Sequence, residues 1–148
     1  MSLKEKIQDN IKIAMKSKDN QVVSVLRMLN AAILNKEKAK LKELTEDEVI
    51  EVIFSETKKR KDSIEQYGKG GRQALVDQEQ AELEILQKYL PKQMTEDVIR
   101  KLVQEKIKQT GVESPKEIGK LMSVLMPLIK GKADGKLVSQ IVQEELTK

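Results

Sequence analysis

The chain has no cysteine, no histidine and no tryptophan, and its aromatic side chains are two tyrosines and one phenylalanine. Without cysteine there is neither a disulfide framework nor a thiolate nucleophile. Without histidine the side chain that most often serves as general base or metal ligand is gone. No stretch approaches the roughly 20 apolar residues that a membrane span needs, and the opening "MSLKEKIQDN" lacks the apolar segment of a secretory leader. These absences lead to the expectation of a cytoplasmic protein that does not act on membranes. They also predict no catalytic residue, no metal site and no cofactor.

What is present is aliphatic and charged. Apolar residues make up 39% and charged residues 35% of the 148, the balance of helical proteins built from aliphatic stripes and charged faces. The expected fold is therefore all-α. The net charge of +4 is uneven: residues 1–91 hold 17 Lys+Arg against 16 Asp+Glu, and residues 92–148 hold 11 against 8. The smaller part holds most of the excess, a mild bias toward an anionic partner.

Helix starts are written in capping residues. Ser2 with Glu5 and Thr45 with Glu48 have capping-box spacing, and Asp19 and Thr95 can cap further helices. Leu3, Ile7, Ile11, Ala14 and Met15 recur at helical spacing, which favours packing over a membrane surface. A third helix carries Val49, Ile50, Ile53, Phe54, Thr57, Ile64 and Tyr67 on its buried side and stops at "YGKGGR". A fourth runs from about Gln73 to Tyr89, until Pro91. The boundary falls there, giving an N-terminal helical domain of about four helices over 1–91 and a small three-helix domain over 92–148. In the latter, Ser114-Pro115-Lys116-Glu117 predicts a capped helix to about Met126 that Pro127 disturbs, and Asp134 opens the last helix.

Four constellations bear on chemistry. Lys58, Lys59, Arg60, Lys61 and Arg72 surround a glycine loop and could hold phosphates, although consecutive residues point in different directions and Glu56, Asp62 and Glu65 are placed to pair with them. "GKGGR" lacks the ending and the preceding strand of a phosphate-binding loop. Glu79 and Glu82 read as an exposed acidic face, since no histidine can complete a Glu-x-x-His metal site. At "KGKADGK", residues 130–136, Gly131 supplies a left-handed cap and Asp134 caps the next helix. Lys130, Lys132 and Lys136 cluster near that helix N-terminus, and the plainer alternative is a turn with solvated lysines.

"IGKLMSVLMPLIKGKADGKLVSQIVQEEL", residues 118–146, resembles the C-terminal tail of the GatB subunit of tRNA-dependent amidotransferase. Together with "KKRKDSIEQYGKGGRQALVDQEQAELEILQKYLPKQMT", residues 58–95, it closely resembles the free-standing YqeY family, and the likeness covers nearly the whole chain. Gly119, Met122, Gly131, Lys132, Ala133 and Asp134 fall on the tail pattern, while Gly135 stands where GatB tails tend to have proline. The resemblance implies an all-helical, non-catalytic tRNA-binding module, with Lys130, Gly131, Lys132, Gly135, Lys136, Gly119 and Lys120 as contact candidates. Lys58, Lys59, Lys61 and Arg72 come second. With so few aromatic rings, contact would be by shape and phosphate rather than base stacking. The expected partners are tRNA and an aminoacyl-tRNA synthetase or amidotransferase, bound by a monomer. A protein-interaction adaptor using the first helix or the "VLMPLI" corner is the alternative. The third reading is an accessory of a carbon–nitrogen ligase that uses glutamine as amido donor.

Overall fold

The computed structural model describes residues Met1–Lys148, which form seven α-helices and no strand. Two compact units divide the chain, Met1–Leu90 and Pro91–Lys148. No helix is long and apolar enough to cross a membrane.

The N-terminal unit holds α1 (Leu3–Lys16), α2 (Asn20–Lys40), α3 (Glu46–Lys69) and α4 (Gln73–Gln87). Ile7 of α1, Val25, Leu26, Leu29 and Ile33 of α2, Val49, Val52 and Ile53 of α3, and Leu86 of α4 meet in one core. These positions recur every three or four residues, so each helix buries one stripe. The stripe on α1 is narrower than its sequence suggests: Ile7 and Ala14 are buried, but Met15 is 51% exposed. On α3 the buried side turns toward Val52 and Arg60, leaving Ile50, Phe54, Ile64 and Tyr67 half-buried. Just after α4, the Tyr89 hydroxyl accepts a hydrogen bond from Asn10 Nδ2 at 2.7 Å.

The helix starts follow the capping residues. Thr45 and Glu48 form the reciprocal box, and Asp19 and Thr95 each accept from the backbone three residues on. At Ser2 the exchange is altered. The hydroxyl accepts from the Glu5 N–H, but the Glu5 carboxylate takes the hydroxyl proton, and the Leu3 N–H donates instead to the carboxylate of Glu46 in α3.

The C-terminal unit holds α5 (Glu96–Thr110), a 3-10 turn (Pro115–Glu117), α6 (Ile118–Ile129) and α7 (Gly135–Leu146). Its core joins Ile99 and Val103, Val112, Leu121, Leu125 and Ile129, and Val138, Ile141, Val142 and Leu146. Met94, just before α5, bonds to Lys132, just before α7, and Arg100 and Gln104 reach Glu145 near the end of α7. Arg100, in the second turn of α5, ties that helix to the last turn of α7, donating to Glu144 (2.7 Å) and Glu145 (2.9 Å) as well as to Glu96 (3.3 Å) on its own helix. Two local expectations are corrected. Ser114 makes no capping hydrogen bond and Pro115 opens only a 3-10 turn, because proline's fixed φ suits a tight first turn as well as an α-helix. Pro127 does not end α6, which continues through it to Ile129. Its ring lies on an exposed side of the helix in the last turns of α6, where it displaces no core side chain.

Candidate nucleic-acid interface

The corner between α6 and α7 is built from both sides. Lys130 leaves the helix with extended ψ, and Gly131 then takes φ +74°, a left-handed turn that costs glycine nothing and an L side chain about 1–2 kcal/mol. The Lys132 and Ala133 N–H groups both return to the Ile129 carbonyl, at 2.8 and 3.0 Å. From the other side the Lys132 carbonyl accepts from the Met94 N–H at 2.9 Å. Gln93 Nε2 donates to the Gly131 carbonyl at 2.8 Å and to Pro91 at 2.9 Å. The backbone from 130 to 134 is thus fixed, and Lys130, Lys132 and Lys136 all carry exposed side chains on it.

The start of α7 is already occupied by an anion of the chain's own. The Asp134 carboxylate accepts from the Lys136 N–H at 3.1 Å, satisfying one of the free donors that would otherwise face a ligand. An incoming phosphate would accordingly meet lysine ammonium groups first. Gly135 is the first residue of α7, its φ is not left-handed, and a Cβ added there would meet nothing within 4 Å. Nothing at Gly135 requires glycine, whereas the left-handed turn at Gly131 does.

Gly119 and Lys120 lie in the first turn of α6 and are exposed. At 1.5 Å per residue, Lys120 is about 15 Å along the helix from Lys130. The structure does not gather these residues into the corner.

The basic run on α3 is mostly engaged within its own unit. Lys59 pairs with Glu56 at 3.5 Å and Lys69 with Glu65 at 3.3 Å; Lys58 is half-buried, and Lys61 and Arg72 are exposed. Arg60 is withdrawn from solvent altogether, only 6% exposed. Its Nη1 donates to the Glu56 carbonyl (3.2 Å) and carboxylate (3.0 Å), and its Nε faces the Glu82 carboxylate at 3.7 Å, too far for a hydrogen bond. Glu79 and Glu82 are half-buried against α3, so the exposed acidic face expected there is corrected. Burial, then the neighbouring Glu82 carboxylate, push the Glu79 carboxyl above its ordinary range against the pull of Arg60.

Sequence reasoning missed Gln93 as the residue that fixes the corner. Its partner lies 38 residues away, and no local pattern announces a side chain that bonds to a distant carbonyl.

A family model described as "Yqey-like protein" matches residues 4–146. A relative named "Altered inheritance of mitochondria protein 41, mitochondrial" from Pyrenophora tritici-repentis is 33% identical over 143 residues, which is 94% of this chain and 78% of the relative. A protein of the same name from Kluyveromyces lactis is 35% identical over 66% of this chain and 55% of its own length. Another, from Lachancea thermotolerans, is 36% identical over 57% of this chain and 46% of its own. All three names carry the word mitochondrial, and they overturn the cytoplasmic expectation. The physical reason is that a missing apolar leader tests only for secretion, whereas organelle-directing segments are amphipathic and basic.

Proposed function

The chain belongs to the YqeY family, and from that membership we propose that it is a non-catalytic tRNA-binding helical module that assists an enzyme of aminoacyl-tRNA synthesis or amidation. One observation carries the reading. The turn between α6 and α7 is held rigid by Gly131 and by hydrogen bonds from Gln93 and Met94, and it presents Lys130, Lys132 and Lys136 to solvent. Lys132 and Lys136 make no ion pair within the chain, so binding a phosphate there breaks no existing contact. The basic run on α3 offers less, because Arg60 and Lys59 already serve Glu56.

The C-terminal unit has no aromatic residue, which suits recognition of a folded RNA by shape and phosphate. The relatives' names add a mitochondrial setting, so mitochondrial tRNA belongs beside bulk tRNA in the test.

The test is binding of the full chain to tRNA across a salt series. Each phosphate-contacting lysine contributes about one unit to the slope of log affinity against log salt. Lys130, Lys132 and Lys136 changed together to alanine should flatten that slope and weaken binding alike for different tRNAs. The matched control changes Lys58, Lys59 and Lys61. If the control abolishes binding while the corner triple leaves affinity and slope unchanged, the assignment to this corner is wrong.

A further inference from the structure

The helix α6 is unlike the others in composition. From residue 118 to residue 133 the only charges are Lys120, Lys130 and Lys132, whereas every other α-helix contains at least one acidic residue. It is also apolar well beyond the stripe it buries. Leu121, Leu125 and Ile129 fill the core, yet Val124 is 38% and Leu128 41% exposed, with Pro127 also open to solvent. At about 100° per residue, Val124, Pro127 and Leu128 fall on one shoulder of the helix, and Lys120 lies one turn before Val124. A surface helix ordinarily turns polar residues to water. Here water meets two aliphatic side chains and a proline that also withholds the N–H that would bond the Ser123 carbonyl.

We infer that this shoulder of α6 is a docking surface for an amphipathic helix of a partner protein, one whose apolar stripe is bordered by Glu and Asp. The apolar centre supplies the area that such a helix covers. Charge supplies the choice of partner. Lys120 and Lys132 are exposed and make no ion pair, and the nearest acids in sequence, Glu117 and Asp134, stand outside the segment, the latter turned to its capping bond on α7. An acidic border therefore gains two or more cations on docking. A second copy of this chain would set the same lysines against one another in a two-fold contact. An RNA backbone would gain nothing from Val124 and Leu128. The surface shares Lys132 with the tRNA corner, but Val124 and Leu128 belong to it alone, and the substitutions at those two positions separate the two readings.

The experiment uses the full chain and a fluorescein-labelled designed peptide of about 18 residues, with leucine along one helical stripe and glutamate beside it. A second peptide carries lysine for every glutamate. The acidic peptide should bind saturably. Val124→Glu with Leu128→Glu should weaken it at least about tenfold, with the helical circular dichroism unchanged because both side chains are partly exposed. Lys120→Glu with Lys132→Glu should weaken the acidic peptide and strengthen the basic one, a reversal that a general loss of packing would not give.

The inference is overturned by equal binding of the two peptides to the native chain, by no saturable binding below about 100 μM, or by affinity that none of these substitutions changes. Three further results would assign the surface to another occupant and equally overturn it. They are self-association that Val124→Glu with Leu128→Glu abolishes, adsorption to phosphatidylcholine–phosphatidylserine vesicles tighter than peptide binding, and tRNA affinity lost on that same double change.

Discussion

Arg60 stands in the middle of a basic run yet points inward, held by Glu56 and facing Glu82 with an Nε that has no hydrogen-bond acceptor. Removing the cation leaves half-buried carboxylates without compensation, so Arg60→Ala should cost about 3 kcal/mol in urea unfolding. Arg60→Met combined with Glu56→Gln and Glu82→Gln removes both signs of charge and should recover most of that loss. At the corner, Gly131→Ala forces an L side chain to φ +74° and should lower stability by about 1 kcal/mol, whereas Gly135→Ala should raise it by about 0.5 kcal/mol. Thermal melts of the two single variants check the opposite signs. The sequence told Gly131 correctly because a lysine-flanked glycine after an apolar helix reads as a cap. It misled at Arg60, since charge density along a chain does not say which way one residue of a helix faces.

Helix ends divide in the same way. Three of them close with paired hydrogen bonds around a left-handed residue: Gly71 after α3, but Lys18 after α1 and Leu41 after α2. Leu41 is 91% exposed and gains little from its side chain, so Leu41→Gly should stabilise the protein by about 1 kcal/mol, read as a higher urea midpoint at unchanged slope. The helix starts were legible because Thr45, Asp19, Thr95 and Asp134 cap through local bonds that sequence spacing specifies. The ends at Lys18 and Leu41 carry no glycine. There the backbone geometry is imposed by the helices that follow, which no local pattern records. Pro127 misled for the opposite reason, a strong local signal made harmless by its exposed position in the last turns of α6.

For the whole molecule, carboxylates set the response to acid. Hydrogen bonds from Lys40 and then the Thr45 N–H bring the Glu48 carboxyl down to about 2, Lys4 and the Leu44 N–H lower Glu37, and Arg100 lowers Glu145. Each folded-state value lies below the unfolded one, so the unfolded chain binds more protons in that interval. The stabilisation is present above pH 4.5 and is lost as pH falls toward 2. Glu79, shifted the other way, opposes this with a rise in stability on protonation. Urea midpoints measured at several pH values should therefore fall through that window, and Lys40→Met with Lys4→Met should flatten the fall. The all-helical class was legible throughout, from stripes and caps. The cellular setting was not, because compartment is carried by address segments rather than by the folded core. The placement of Phe54, Tyr67 and Tyr89 in the N-terminal unit has a practical consequence. The C-terminal unit is optically silent in the near ultraviolet, so tyrosine emission follows the N-terminal unit alone, while far-ultraviolet dichroism follows both. Tyr89, bonded to Asn10 of α1, makes that emission a built-in gauge of when the first unit comes apart, and the remaining dichroism reads the second without any label.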